Sequence, residues 1–149
     1  MNNTLKLIFD FLAAAVSCFI LASLLHTQFV LHGLIELDVV IDWQTRLSAS
    51  GKDILGLLPS YGTLISIALL IAFLCVFFLN KVFTQPKVWL YPIAGAAAMF
   101  TMLAAMQPVM DITLIAGARS NLGIAAQSLA GVFGGWVFMY QRGRRSSAV

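Results

Sequence analysis

Apolar residues run through the chain in four long tracts, Leu7 to Leu25, Tyr61 to Leu79, Val88 to Met106 and Leu122 to Met139, separated by shorter polar segments. Each tract is close to the roughly 20 residues a helix needs to cross about 30 Å of hydrocarbon. None carries the polar stripe of a helix on the surface of a soluble bundle. The pattern predicts an all-α integral membrane protein, with four transmembrane helices in an antiparallel bundle. The spans are expected at about residues 7–26, 60–79, 88–108 and 120–140, within a single domain of residues 1–149. Residues 27–59, between the first two spans, form much the longest connection, and long connections are where specialised structure collects. They are expected to be an outer loop carrying an interfacial segment.

Local breakers refine these boundaries. Asp53 is placed to cap a short turn, and Pro59 to occupy the first turn of the second span, where its missing N–H costs nothing. Gln85-Pro86 closes a tight hairpin between spans two and three, and Pro108 marks the end of span three. The apolar connection VMDITLIAGARSN is expected to lie along the membrane surface or against the first loop. The first tract is expected to be a retained helix, since Asp10 falls inside it and no small-x-small site closes it.

Composition strengthens the membrane reading: 60% of residues are hydrophobic and 10% charged, against roughly 25% charged in a soluble domain. The charges also give an orientation. Lys6, Lys81, Lys87, Arg142, Arg144 and Arg145 fall on one side with Asp10; Arg46, Lys52 and Arg119 fall on the other with Glu36, Asp38, Asp42, Asp53 and Asp111. The balances of +5 and −2 account for the net +3, and the positive-inside rule puts both termini in the cytoplasm, as in a bacterial inner membrane. Basic residues at a membrane edge orient helices and attract anionic lipid, so membrane lipids are the expected partners and nucleic acid is not. Cys18 and Cys75 lie singly within spans, with neither a redox nor a zinc spacing, and are read as packing residues.

Small residues predict where helices meet. In span four, Ala126, Ala130 and Gly134 are spaced by four, as are Gly131 and Gly135; Ala94, Ala97, Ala98, Thr101 and Ala105 offer a slim face on span three. Such faces let helices approach closely, within one protomer or between copies. Gln127 sits among them, and an amide in hydrocarbon must find a partner, so it is expected to clamp the bundle or an oligomer interface. Met99, Met102, Met106 and Met110 stripe span three; thioethers can bind copper(I), but gap-filling accounts for them without a metal.

The polar stretch HTQFVLHGLIELDVVIDWQTR, residues 26–46, carries the densest chemistry. His32 and Glu36 share a helical face and, with His26, have spacing suited to metal ligation; Asp38 and Asp42 would add carboxylates for acid–base work. The competing interfacial reading explains more residues. Leu31, Leu34, Ile35, Ile41 and Trp43 would turn to lipid or the bundle, while His32, Glu36, Asp42 and Arg46 face water, with Asp42 and Arg46 paired. A second polar group, Gln107 and Asp111 on span three with Arg119 and Asn121 on span four, could contact a substrate or headgroup, and Asp111 could pair with Arg119. No phosphate-cradling loop, nucleophile elbow or Cys-x-x-Cys pair occurs, and no cofactor is indicated. The expectation is a small polytopic membrane protein acting through oligomerisation, as a translocation or channel unit or as an accessory subunit of a membrane complex. The alternative is a membrane-embedded enzyme acting on a lipid or amphipathic substrate near the outer leaflet.

Overall fold

The computed structural model describes residues 3–36, 40–82, 87–110 and 121–146, and all their regular structure is helical. Helix α1 runs Asn3–Ile35, 33 residues. At 1.5 Å per residue that is about 50 Å, well beyond the thickness of the hydrocarbon. Residues 27–35, expected in an outer loop carrying an interfacial segment, instead continue α1. The reason lies in its buried stripe: Ala14, Ala15, Cys18, Phe19, Ala22, Ser23, His26, Thr27 and Leu31 follow one another at helical steps. Polarity changes along that stripe, but its period does not.

The partner for the added turns is α2, Trp43–Leu57, which returns alongside α1. Asp42 stands at its N-cap without a side-chain capping bond. Asp53 caps nothing; it lies in the interior of α2. A π-turn over Leu58–Gly62 then joins α2 to α3, Thr63–Val82, so that Trp43–Val82 is one continuous helical run. Pro59 explains the widened turn. It lacks an N–H and its ring would strike the carbonyl one turn earlier, so the α ladder cannot pass through it unchanged. Side-chain hydroxyls serve the carbonyls around it: Thr63 Oγ1 donates to Pro59 O at 2.7 Å and Ser66 Oγ to Gly62 O at 2.8 Å.

Helix α4 covers Leu90–Met110, passing through Pro108 where an end was expected, and α5 covers Asn121–Ser146. Helix α4 packs most extensively on α5, α5 on α1 and α3 on α4, while α1 meets α2 and the π-turn along their length and α3 more lightly, with Phe11 edge-on to Phe73 at 6.3 Å. Glycines permit the closest crossings. A Cβ on Gly95 or Gly131 would collide with the other's carbonyl oxygen, and one on Gly135 with that of Tyr91. A Cβ on Gly134 would sit 2.7 Å from Cys18 Cβ and 3.1 Å from Ala14 O. In a bilayer, where lipid is as apolar as leucine, such dispersion contacts replace the hydrophobic drive.

The crossings also fix direction. Gly134 meets Ala14 and Cys18, whereas Gln127 reaches Ala22, so α1 and α5 are antiparallel and the start of one lies with the end of the other. That basic end holds Lys6 and Arg142. An aromatic cluster lies inside the bundle there, with the Phe73 ring tilted 30° to that of Phe138 at 4.7 Å and edge-on to Tyr91 at 5.4 Å.

Candidate functional site

Polar side chains gather at the opposite end, where α1, α2, the π-turn and α5 converge. Tyr61, carried inward by the π-turn, donates its hydroxyl to Gln127 Oε1 at 3.0 Å. Gln127 Nε2 donates in turn to Ala22 O at 3.0 Å. Both side chains are essentially sealed, at 1% and 0% exposure. The amide thereby ties three helical segments at one point, satisfying its own demand and that of the phenol.

One turn further along α1, Thr27 Oγ1 lies 2.8 Å from Asp53 Oδ2 on α2 and 3.0 Å from Ser23 O. The hydroxyl has one proton and faces two acceptors, so it serves them alternately or shares the proton between them. His26, also buried, is within electrostatic reach of Asp53. Ser50 completes the α2 face by donating to Arg46 O at 3.0 Å. Ser23 Oγ is fully buried among these groups with no hydrogen-bond partner. Beside the Tyr61–Gln127 pair, the cluster therefore holds a partly buried carboxylate, an imidazole and three aliphatic hydroxyls. The Thr27–Asp53 bond joins α2 to α1, and the Gln127 amide joins α5 and the π-turn to it.

The residues singled out in the sequence fall at several different places. His26 points into the cluster, while His32 and Glu36 pair at 3.7 Å on the outer surface, with side chains 73% and 71% exposed. His32 instead lines an open pocket of about 300 Å³ with Gln28, Phe29 and Arg46. Arg46 Nη1 donates across that pocket to Gln28 Oε1 at 3.1 Å, so this guanidinium bridges α2 to α1. Asp42 is exposed, and no group of three His, Cys, Asp or Glu side chains able to hold a metal ion occurs among the described residues. Asn121 is exposed at the start of α5. Gln107 lies in α4 with its side chain outside the described residues; Asp38, Asp111 and Arg119, and with them the expected Asp111–Arg119 pair, also lie outside them.

On α5, Ala130, Gly131, Gly134 and Gly135 are buried against α1 and α4, and Ala126 is partly buried. The slim face of α4 divides. Gly95 and Met99 meet α5, whereas Ala94, Ala97, Ala98, Thr101 and Ala105 line an outward groove of about 490 Å³, together with Ala68, Ala72 and Cys75 of α3. Sequence reasoning did not link Thr27 to Asp53 or Tyr61 to Gln127. Only Gln127 carried a signal, as a lone amide in an apolar tract.

Three helical stretches, Thr4–Ile35, Trp43–Val82 and Asn121–Arg144, are long and apolar enough to cross a membrane, and the shorter stretch Leu90–Met106 of α4 is apolar too. These define a small all-α protein of polytopic membrane character. Comparison with known proteins goes no further: no protein family, no curated protein and no solved structure matches the chain.

Proposed function

We propose that the protein is a small four-span subunit that works by assembly in the membrane, seating a helix of a second copy or of a partner subunit in the groove between α3 and α4. The observation that carries this reading is the composition of that groove. Other outward faces bear large side chains such as Leu12, Val16, Ile20 and Phe78. Here the α4 wall is alanine and Thr101 except for Met102, while the α3 wall mixes Ala68, Ala72 and Cys75 with Ile71, Val76 and Leu79. Small residues on a lipid-facing surface allow another backbone to come close, the arrangement by which helices associate in bilayers. Gly131, Gly134 and Gly135 of α5 are already used inside the protomer, whereas the small residues of this groove face outward. Translocation through a single protomer has little support, because Ile65, Leu69, Met99 and Leu103 fill its centre.

The test is the mass of the protein extracted from its native membrane in mild detergent, for the wild type and for Ala97→Leu/Ala105→Leu, which fills the groove without touching the core. The wild type should run above protomer mass and the variant at it, with unchanged thermal stability. A wild-type protomer with no membrane partner, or a filled groove that leaves assembly intact, would overturn the proposal.

A second reading, an enzyme acting on an anionic amphiphile at the outer leaflet, draws support from the open pocket where Arg46 and His32 could meet a headgroup. Metal content and lipid turnover compared between wild type and His32→Ala/Glu36→Ala would separate the two. Identical behaviour removes the enzymatic reading and leaves the assembly reading untouched.

A further inference from the structure

At the basic end α1 and α3 meet lightly, with Phe11 edge-on to Phe73 at 6.3 Å, and a cavity of about 170 Å³ opens laterally between them beside that contact. Its mouth is formed by Leu7 of α1 and by Leu70, Leu74 and Phe77 of α3, each 43–47% exposed. Its floor is the buried aromatic cluster of Phe73, Tyr91 and Phe138. One charged side chain lines it: Arg142, half-buried, with its guanidinium 5.9 Å from the centre of the Phe138 ring. A second cation stands at the rim, where Lys81 Nζ lies 5.1 Å from the ring of Phe77. The nearby acid, Asp10, does not line the cavity; it is buried in helical register with Ala14 and Cys18, on the side of α1 that meets α5.

We propose that this lateral opening is a binding site for one anionic phospholipid, with an acyl chain in the aromatic cavity between α1 and α3 and the phosphate held by Arg142 and Lys81. The apolar walls suit a hydrocarbon chain, which enters sideways from the bilayer without crossing water. The charges select the head. A guanidinium offers a planar fork of donors to phosphate oxygens, and basic pockets between helices at a membrane edge are the usual means of retaining acidic lipids. A zwitterionic lipid would bring its own cation against Arg142 and Lys81 and lose most of that attraction.

The full chain in nanodiscs of equal phosphatidylglycerol and phosphatidylcholine, released and weighed by native mass spectrometry, tests this directly. Wild type should retain one phosphatidylglycerol per protomer in preference to phosphatidylcholine. Arg142→Gln should cut that preference by about fivefold, the factor corresponding to roughly 1 kcal/mol per basic residue at a membrane surface. Arg142→Lys should keep much of it, and Leu74→Trp, which fills the mouth and leaves both cations in place, should abolish it. Equal retention of the two lipids by wild type would overturn the proposal, as would a preference that survives Leu74→Trp or is undiminished by Arg142→Gln. So would retention of a free fatty acid in place of the phospholipid. Circular dichroism and thermal stability on each variant separate lost binding from lost fold, and Lys81→Gln, at the exposed rim, should also lower the preference and keeps the test valid if either disruptive variant unfolds.

Discussion

Replacing Gln127 by leucine should be among the more damaging single changes that leave the helix backbone untouched. The substitution preserves bulk and helix propensity but removes two buried hydrogen bonds, each 3.0 Å long. Ala22 O keeps its place in the α1 ladder, so its loss is small, whereas the Tyr61 hydroxyl, 1% exposed, is left with no acceptor. Interhelical hydrogen bonds in bilayers are worth about 0.6 kcal/mol on average and about 1.7 at most. A buried donor left unmade costs about 1–3 kcal/mol. Together these put Gln127→Leu near 2 kcal/mol, an order-of-magnitude figure. Tyr61→Phe, which orphans only the amide oxygen, should cost about 1 kcal/mol. In the double variant neither polar partner remains to be orphaned, so the two effects should fall short of additivity by about 1 kcal/mol. Reversible unfolding by SDS in mixed micelles, followed by tryptophan fluorescence, measures all four corners of the cycle. Additivity within about 0.3 kcal/mol would refute the assigned Tyr61–Gln127 bond.

The same unfolding assay checks the glycine crossing: Gly131→Leu, whose Cβ meets backbone that cannot yield, should destabilise by about 3 kcal/mol or more, while Gly33→Ala, with open space around it, should be neutral or stabilising by up to about 1 kcal/mol. Thr27→Val should cost about 1–2 kcal/mol by cutting the link from α1 to Asp53, and hydrogen exchange should show residues 43–57 opening more readily while α5 keeps its protection. His32→Ala should change stability by less than about 0.5 kcal/mol, since its pair with Glu36 is on the surface; a larger loss would place His32 in a network that the 3.7 Å contact does not describe.

The apolar tracts announced helices because hydrocarbon demands long, unbroken runs, and that demand is written locally. It set the spans but not the helix ends. Hydropathy stops at Leu25 because polar residues begin there, yet α1 continues to Ile35, because what sustains it is the buried face at Thr27 and Leu31, supplied by α2. Nor could Pro59 be distinguished, from sequence, between the start of a helix and a widened turn within one; the choice depends on whether α2 has somewhere to pack. Gln127 was legible as a residue in need of a partner, since an apolar setting makes that need absolute. Its partner was not: Tyr61 lies 66 residues away, and Asp53 lies 26 from Thr27, separations with no periodicity to mark them. The charged stretch after residue 26 drew attention by density of ionisable groups, but burial divides it, turning His26 inward and leaving His32 and Glu36 outside.

The widened turn at Leu58–Gly62 acts as a phase shifter on a single rod. A π-turn takes up about one residue more than an α-turn, which at 3.6 residues per turn rotates whatever lies beyond it by about 100°. Helix α3 must aim Ile65, Leu69, Phe73 and Val76 at the bundle, while α2 must aim Ser50 and Asp53 at α1. Those two aims are out of step on an unbroken ladder, and the offset at Pro59 reconciles them. Deleting one residue there would close the turn, leave α3 in place and swing Asp53 about a quarter turn away from Thr27.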